Sequence, residues 1–371
     1  MSIFHAPVRF ISKHKSQFYQ TLSSRVDAYF QKKGISKSGD AGMVVKTLIL
    51  AGAYIAPLFA LIFFQPTFGL SLLLWAVMGI AMAGIGMNVM HDANHGSYTS
   101  IPWVNNMIGG IALNILGGSA FNWKMQHNNL HHTFTNIVHY DEDIADKVVL
   151  RLSPHTEVKK VHRFQWLYAL LIYSLTTLYW VSSKDFFQFA RYKRNGVNKN
   201  TSRRNRIEMF RIIAIKAIYF LVIIGVPVWA GIPAWQVFFG FVLMHLLGGL
   251  ILTVVFQLAH TVEETTFPIP NDKGIIENEW AIHQMNTTVN FSRRNRLLSW
   301  YVGGLNFQVE HHLFPKICHV HYPQIADIVR QTANEFNIPY LEHKSLWHAL
   351  RSHFATLKRF GKLPDLNEVM G

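Results

Sequence analysis

Two pairs of long apolar runs constrain the fold of this 371-residue chain more than any other feature. The first pair runs from Met43 to Phe64 and from Phe68 to Met90, and the second from Ile212 to Trp229 and from Ala234 to Gln257. Each run is long enough, as a helix rising ~1.5 Å per residue, to cross a hydrocarbon layer of ~30 Å. The connectors within the pairs are short and uncharged. The pattern therefore predicts four transmembrane helices in two hairpins.

The composition agrees with a membrane protein. Half of the residues are hydrophobic and only 15% are charged, and the mean hydropathy is +0.15. Such values are high for a soluble protein of this length and indicate an all-α integral membrane protein. The formal net charge of +14 is then explained by basic cytoplasmic loops. The sequence contains no nucleic-acid-binding motif, so we expect no nucleic acid partner.

The distribution of basic residues predicts the orientation in the bilayer. Lys46 and the basic N-terminal arm flank the first apolar run, whereas the two connectors contain neither lysine nor arginine. Basic loops face the cytoplasm, so both termini and the active site are predicted to be cytoplasmic, at the inner membrane if the source is bacterial. Lys216 lies inside the third run and is expected to extend to the cytoplasmic interface.

Outside the spans, residues 1–42 form a basic arm with Ile11, Phe18, Leu22, Val26 and Phe30 at helical spacing. This amphipathic helix could lie on lipid headgroups or pack on a cytosolic domain. Residues 43–371 form the main domain, whose parts 91–206 and 261–371 are predicted to make a cytoplasmic helical cap.

Two further apolar segments run from Trp103 to Phe121 and from Phe164 to Ser183. Whether each of them crosses the membrane decides on which side the following residues lie. A span at either position would carry some of the histidine clusters described below to the opposite side of the membrane. We therefore predict interfacial or re-entrant helices at both places.

Histidines recur in small clusters with helical spacing. His91 and His95 follow the second run, His127, His131 and His132 form a second cluster, and Gln308, His311 and His312 form a third. On an α-helix, His127 and His131 would lie about 40° apart, with His132 about 100° further round. Imidazoles at such spacing are typical of metal sites. Cys318 is the single cysteine, so the predicted ligands are nitrogen and oxygen atoms.

His260 ends the fourth apolar run at the level of these clusters and is predicted to be a ligand, whereas His245 lies mid-span and is interpreted as a hydrogen-bonded structural residue. One metal ion does not need so many donors, so the pattern predicts a dinuclear centre with no catalytic residue beyond the metal ligands. The predicted ligands are His91, His95, His127, His131, His132, His260, His311 and His312. Gln308 is a possible ninth donor or the holder of a bound water, unless it is a surface residue of its helix.

The three clusters resemble the histidine boxes HxxxH, HxxxHH and HxxHH of the membrane-bound fatty acyl desaturases and hydroxylases. The resemblance covers about residues 42–336 and implies two iron ions, with zinc as a substitute in a purified sample. It also implies molecular oxygen as co-substrate and a tunnel for an acyl chain carried by CoA or by a phospholipid. Asp92, Asn136, Asp141 and Asp143 then look like residues that orient the ligands, although a surface role is equally expected for the last two.

Glutamine at the start of the third box, in the string from Gln308 to Pro315, is similar to front-end desaturases of the delta-6, linoleoyl type. Many of these carry a fused cytochrome b5 domain with a His-Pro-Gly-Gly motif, which this sequence lacks. The resemblance therefore implies a separate electron donor, such as ferredoxin or cytochrome b5 with its reductase.

Two alternatives use histidines as well. A hydroxylase or alkane monooxygenase of the same family would have the same ligands, and only the glutamine of the third box argues against it. A metal transporter would place ionisable groups inside the helix bundle, whereas these clusters lie where the spans end.

Overall fold

A computed structural model describes residues 8–13, 15–145 and 148–364. The chain divides into two compact units. The first unit comprises Met1–Ser38, Met125–Ala169 and Val255–Gly371, and the second comprises Gly39–Lys124 and Leu170–Val254.

Four helices in the described part of the chain are long and apolar enough to cross a membrane, as predicted: Ala41–Phe64, Phe68–His95, Ser202–Trp229 and Ala234–His260. The first of them begins at a side-chain cap, because Asp40 accepts a hydrogen bond from the amide of Met43 at 3.0 Å. The second and third continue beyond their apolar runs into polar sequence. The chain is thus an α-helical membrane protein.

The connectors of the two helical hairpins meet in the second unit. The side-chain amide of Gln65, in the first connector, donates a hydrogen bond of 2.6 Å to the carbonyl of Ala230, in the second. The rings of Phe68 and Trp235, which begin the helices that follow, are 4.9 Å apart. Both hairpins therefore turn at the same end of this unit.

The two segments predicted to be interfacial form short helices. The first contains the helices Pro102–Ile115 and Ala120–Lys124. The second is broken into consecutive pieces, which are Lys160–Phe164, Gln165–Ser174, Thr176–Tyr179, Trp180–Lys184 and Asp185–Arg194. Neither segment is among the described helices that are long and apolar enough to cross a membrane.

The prediction that Lys216 extends to the membrane interface is wrong. Its side chain is buried, and its Nζ atom lies 2.9 Å from a carboxylate oxygen of Asp185. The same ammonium donates hydrogen bonds to the carbonyls of Gly117, Trp180 and Val181 at 2.8 to 3.2 Å. A carboxylate within the protein offers a closer partner than the headgroups, and the broken helices provide carbonyls that need a donor.

In the first unit, the N-terminal helix Phe18–Lys33 packs on the rest of the chain. Its apolar face, formed by Phe18, Leu22, Val26 and Phe30, is buried in a core with residues of the helix Tyr322–Glu335. Arg25 extends from the same helix to the carboxylate of Glu335, with N–O distances of 2.7 and 3.0 Å. Of the two alternatives for this arm, the packed helix agrees with the structure.

The first unit contains several further short helices. They include the helices Trp280–Thr287, Arg296–Tyr301, Gln308–Leu313, His319–His321 and Leu346–Phe360. Two parallel pairs of two-residue strands add the only described sheet structure, namely Arg9–Phe10 with Ile275–Ile276 and Asn290–Phe291 with Glu342–His343.

Candidate metal centre

The segment with His127, His131 and His132 is not an ordinary α-helix. Met125–His131 is a π-helix, in which residues five apart lie above one another, and a short α-helical turn follows it. The Nε2 atoms of His127 and His132 are therefore only 3.2 Å apart, and the rings of His127 and His131 are 5.4 Å apart. The angles predicted for an α-helix do not apply here, because the π turn brings all three imidazoles together.

His131, His260 and His312 form a buried triad. The centroids of their rings are separated by 4.8 to 5.0 Å, and one ligand atom of each residue lies within 4.8 Å of the others. His131 belongs to the π-helix, His260 ends the helix Ala234–His260, and His312 belongs to Gln308–Leu313. Three separate segments thus present imidazoles that could hold one metal ion.

A second buried triad consists of His132, His311 and His312, again with ligand atoms within 4.8 Å of one another. The ring centroid of His132 lies 4.5 Å from that of His311 and 4.4 Å from that of His312. His312 belongs to both triads. Each imidazole nitrogen binds one ion, and His312 Nδ1 faces Gln284, so His312 can complete only one of the two triads. The five histidines together still place donors for two neighbouring metal ions close to one another.

The Nδ1 atoms of four of these histidines face hydrogen-bonding partners. His131 Nδ1 is 3.1 Å from Asp141 Oδ2, and His260 Nδ1 is 3.2 Å from the carbonyl of Thr287. His311 Nδ1 is 3.1 Å from the hydroxyl of Tyr322, and His312 Nδ1 is 2.8 Å from Gln284 Oε1. Metal-binding histidines typically use one ring nitrogen in this way and leave the other for the metal.

The opposite nitrogens of His131 and His260 are the clearest test of a metal site. Both Nε2 atoms are buried and, among the described residues, have no hydrogen-bond partner. A buried polar atom without a partner costs free energy, and a metal ion would remove that cost. The donor set therefore fits a metal centre with nitrogen ligands.

Asp141 provides charge beside the first triad. Burial alone would raise the pKa of Asp141, but the neighbouring His131 and two backbone amides lower it below its usual range. Burial likewise tends to lower the pKa of His131, whereas the carboxylates of Asp141 and Asp143 outweigh burial and raise it. The carboxylate of Asp141 therefore stays ionised and increases the basicity of the imidazole.

The other two residues predicted to orient ligands in this unit are also close. Asn136 donates from its backbone amide to Asp141 Oδ2 at 2.9 Å and from its side chain to the carbonyl of His260 at 2.9 Å. Asp143 Oδ2 lies 3.4 Å from His131 Nδ1, and Asp143 accepts a hydrogen bond of 2.6 Å from Gln126. Asp141 is buried, so a surface role is excluded for it. Asp143 is half-buried and lies only partly at the surface.

Gln308 begins the helix Gln308–Leu313 and is buried, with 2% of its side chain exposed. Within the described ranges, its Oε1 atom has no hydrogen-bond partner. The alternative of a surface glutamine is therefore wrong. An amide oxygen that is buried without a donor could accept from a water or bind a metal.

Glu310, between the ligand positions of the same helix, faces other partners. Its carboxylate accepts hydrogen bonds of 2.8 Å from Asn290 and from the hydroxyl of Tyr340. Burial raises the pKa of Glu310 to about 7, although these two hydrogen bonds act in the opposite direction. Glu310 thus fixes the helix that presents His311 and His312.

The first histidine cluster lies in the second unit. A π turn, Gly86–Met90, leads into the helical turn His91–His95, where the two imidazole centroids are 4.6 Å apart. Both rings contact Trp123, at 6.0 and 5.8 Å. Asp92 Oδ1 is 3.7 Å from His91 Nδ1. His91 and His95 thus share one face of their helix, as their spacing predicts.

His245, interpreted from the sequence as structural, is buried in the second unit. Its Nε2 atom is 2.9 Å from the hydroxyl of Tyr219, and its Nδ1 atom is 3.2 Å from the hydroxyl of Thr177. Both ring nitrogens therefore have protein partners, which agrees with the structural interpretation.

Sequence reasoning missed Gln284, Thr287 and Tyr322, which contact the Nδ1 atoms of His312, His260 and His311. Gln284 also donates to the carbonyl of His132 at 3.2 Å, so it joins two of the boxes. The helix Trp280–Thr287 also contains His283, Asn286 and Thr287, so its composition does not single out Gln284. The sequence alone does not indicate which histidine such a residue contacts.

The chain is similar in sequence to a known protein family and to several known proteins. A family model described as "Fatty acid desaturase" matches residues 67–344. The chain is 34% identical over 352 residues to the sn-1 linoleoyl-lipid 6-desaturase of Arthrospira platensis, with 95% of both chains covered. It is 35% identical to the protein of the same name from a Synechocystis species, with 94% of this chain and 96% of the relative covered.

A longer relative is the acyl-lipid (8-3)-desaturase of Physcomitrium patens, which is 34% identical over 96% of this chain and 74% of its own length. The family match extends over all three histidine clusters, and the similarity to two of these proteins covers nearly the whole of both sequences. The chain therefore belongs to the fatty acid desaturase family of membrane-bound oxidoreductases.

Proposed function

We propose that the buried histidines of the first unit hold two iron ions, and that the protein uses them to insert a cis double bond into a lipid-linked acyl chain. The observation that carries the proposal is the pair of overlapping triads that share His312. Ligands at ~2.1 Å from one ion lie about 3.0 to 3.4 Å apart, and the Nε2 atoms of His127 and His132 already have that spacing, at 3.2 Å.

Nitrogen ligation without cysteine suits a redox-active first-row metal. When bound, the two iron ions would supply the oxidative chemistry with molecular oxygen. The role of the protein groups is to hold the imidazoles: Asp141, the Thr287 carbonyl, Tyr322 and Gln284 engage the Nδ1 atoms and direct the Nε2 atoms to the metals. That His91 and His95 are ligands as well stays a prediction from their spacing.

Burial of the histidines has a second role, which is to exclude water. His131, His260, His311 and His312 are each at most 1% exposed. A dry site protects the oxidant and the acyl chain from side reactions with solvent. Burial by itself also favours the uncharged imidazole that a metal ligand requires, although Asp141 and Asp143 oppose this effect at His131.

The electron balance requires an external donor. Forming one double bond removes two electrons and two protons from the acyl chain, whereas reducing one O2 to two waters consumes four of each. The remaining two electrons and two protons come from outside the substrate. We assign the electrons to a separate carrier such as ferredoxin, or cytochrome b5 with its reductase.

The relatives support a proposal for the substrate class. Two of them, similar over nearly their whole length, are named as linoleoyl-lipid 6-desaturases, and this chain has glutamine at the start of its third box. We propose a front-end reaction, in which the new double bond lies on the carboxyl side of an existing one in a phospholipid or glycolipid acyl chain. Acyl-CoA is the alternative carrier for the same chemistry.

The active site and both termini are proposed to face the cytoplasm. In support, the connectors at Gln65 and Ala230 contact each other at one end of the second unit and contain no basic residue. Basic segments such as Lys184–Arg206, which lies between the two hairpins in the sequence, are attached to the ends of the hairpins opposite the connectors. Such basic segments stay in the cytoplasm.

The test is expression in a host that is fed linoleic acid, with location of the new double bond by mass spectrometry, and metal analysis of the purified protein. We expect a 6-desaturated product and about two iron atoms per chain. His312→Ala, which removes the residue common to both triads, should lose most iron and abolish turnover. His139→Asn, at an exposed histidine in the left-handed region, is the matched control. A hydroxylated product, or full activity with a single tightly bound zinc, would refute the proposal.

A further inference from the structure

Another group of side chains that could bind a metal ion lies in the first unit and shares no residue with the histidine triads. It consists of Glu264, His343 and His348, which offer ligand atoms within 4.8 Å of one another. His343 Nε2 is 3.2 Å from Glu264 Oε2, and the rings of His343 and His348 are 4.6 Å apart. His343 is buried, whereas Glu264 and His348 reach the surface.

The buried member of the group is fixed by its backbone. His343 belongs to the strand Glu342–His343, which pairs in parallel with Asn290–Phe291. Its carbonyl accepts a hydrogen bond of 2.9 Å from the amide of Ser292. The position of the His343 imidazole is therefore set by the strand pair, and only 1% of the side chain is exposed.

The other two donors are held by the helix Leu346–Phe360. His348 lies in its first turn, where its amide donates to the capping hydroxyl of Ser345 at 3.1 Å. Ser352, one turn further on, donates from its hydroxyl to Glu264 Oε2 at 3.1 Å and accepts from the amide of Glu263 at 2.9 Å. The carboxylate of Glu264 is thus oriented by a neighbour, in the way that ligand carboxylates usually are.

We propose that Glu264, His343 and His348 bind one Zn²⁺ ion, with a water in the fourth position. Two imidazoles and one carboxylate form a donor set that zinc uses in open tetrahedral sites. Tetrahedral ligands at ~2.1 Å from the ion are about 3.4 Å apart. At 3.2 Å, the His343–Glu264 distance is close to this value, and an adjustment of about 1 Å by the exposed His348 side chain would complete the site.

An ion pair explains the group less well. A single carboxylate can compensate one protonated imidazole, yet two imidazole rings stand beside Glu264, and protonating both would place like charges 4.6 Å apart. A divalent ion uses all three side chains at once and needs both imidazoles neutral.

A bound ion would join three segments that are distant in sequence. Glu264 follows the helix Ala234–His260 by four residues, His343 lies in a strand, and His348 begins the last described helix. Zinc would therefore tie the turn after His260 to the C-terminal part of the unit. Zinc has no redox chemistry, so the ion would act separately from the proposed iron centre.

The experiment uses the purified full-length protein with its iron content first measured and then kept constant. Zinc binding is measured by equilibrium dialysis and elemental analysis for the wild type and for His348→Gln, with His139→Asn as the control for an exposed histidine. We expect about one zinc per chain beyond the iron in the wild type and the control. His348→Gln should bind it at least about 100-fold more weakly, since loss of even an outer-shell partner costs about 10–100-fold.

Two further variants separate ligation from folding. Glu264→Gln keeps a side-chain acceptor for Ser352 and should also lose the zinc, whereas Ser352→Ala should weaken binding by about 10–100-fold. Zinc should raise the thermal unfolding temperature of the wild type and leave that of His348→Gln unchanged. Equal zinc binding by wild type and His348→Gln, or no zinc beyond the iron-loaded centre in the wild type, would overturn the proposal. Neither result bears on the proposed desaturase activity.

Discussion

His131 Nδ1 lies 3.1 Å from Asp141 Oδ2, while His131 Nε2 is buried and has no hydrogen-bond partner among the described residues. The Nδ1 atom of His131 thus faces a carboxylate, and its Nε2 atom is left for a metal ion bound by the triad. The same carboxylate accepts from the amide of Asn136, whose side chain donates to the carbonyl of His260. Asp141 therefore links two of the three members of the first triad.

We predict that Asp141→Asn weakens metal binding by about 10–100-fold, the usual effect of removing an outer partner of a metal-bound histidine. The amide can donate to His131 Nδ1 and so stabilise the wrong tautomer. Iron per chain and turnover would both be measured after purification under identical conditions. Asp143→Asn is the matched comparison and should have the smaller effect, because Asp143 is 3.4 Å from the same nitrogen and partly exposed. Wild-type iron content and activity in Asp141→Asn would contradict this role.

The sequence predicted the spans and the clusters because both depend on local periodicity. Ala41–Phe64 and Ala234–His260 are apolar over most of their length, and a box such as His311-His312 is recognisable from its spacing. The π-helical turn Met125–His131 was not predictable, since nothing in its composition distinguishes it from an α-helix. The spacing rule therefore selected three imidazoles that the structure brings together, but it gave the wrong angles between them.

Partners that are distant in sequence were missed for a different reason. Gln284 and His312 are 28 residues apart and meet only after folding. Lys216 was assigned to the membrane interface because its buried partner, Asp185, lies 31 residues earlier, in a segment with no marked pattern. Hydropathy describes the environment of each segment separately and contains no information on pairing between segments.

The pair of Lys216 and Asp185 leads to a prediction about stability. Asp185 is 1% exposed and also accepts hydrogen bonds from the amide of Ser119 and the side chain of Asn122. Asp185→Leu should destabilise the protein by about 3–5 kcal/mol, because it leaves the ammonium of Lys216 buried without a counter-charge. The double variant Asp185→Leu/Lys216→Met should recover part of this loss. Thermal unfolding in detergent measures both, and a double variant less stable than the single one would refute the explanation.

Acid sensitivity is predicted from His353. This residue is buried in the helix Leu346–Phe360, and its Nδ1 atom is 2.7 Å from the carbonyl of Thr261. Burial lowers the pKa of His353 to about 4, although the bond to Thr261 acts in the opposite direction. The ordinary pKa of histidine is about 6.5. Between about pH 6.5 and pH 4, His353 therefore binds a proton in the unfolded chain but not in the folded chain.

Stability from this residue is therefore complete above about pH 6.5 and is lost as the pH falls towards 4. Between about pH 7 and pH 5 the loss amounts to about 2 kcal/mol. His353→Gln, which can still donate to Thr261, should reduce the dependence of the unfolding temperature on pH by a corresponding amount. An unchanged dependence in His353→Gln would assign the acid sensitivity to other groups.

The proposed topology can be tested by labelling of introduced cysteines, because the native Cys318 is buried. Thr67→Cys and Ala234→Cys place exposed thiols at the two connectors, whereas the neighbouring Ile232 is buried and unsuitable. In whole cells, both should react with an impermeant maleimide added outside. Lys199→Cys, at an exposed position of the basic segment, should react only after the cells are opened. The reverse pattern would invert the assigned orientation.

Gln308 is a non-histidine residue among the predicted ligands, and its burial makes a specific prediction possible. Its Oε1 atom has no donor within the described part of the chain, and it begins the helix that also presents His311 and His312. If this oxygen binds a metal or a metal-bound water, the residue should affect metal retention and turnover more than folding. An amide oxygen donates less charge than an imidazole nitrogen, so the ion at this position would stay more open to exogenous ligands.

Three variants distinguish ligation from packing. Gln308→Val removes the oxygen while keeping the site apolar, and it should reduce iron content and turnover with little change in the unfolding temperature of the iron-free protein, since removing a buried acceptor without a donor costs little. Gln308→His restores a donor and should retain part of the activity. Gln308→Glu adds a charge and should hold iron at least as well as the wild type, with slower turnover. Wild-type iron content and product yield in Gln308→Val, at normal protein levels, would show that the buried amide is a packing residue and that histidines alone make up the ligand set.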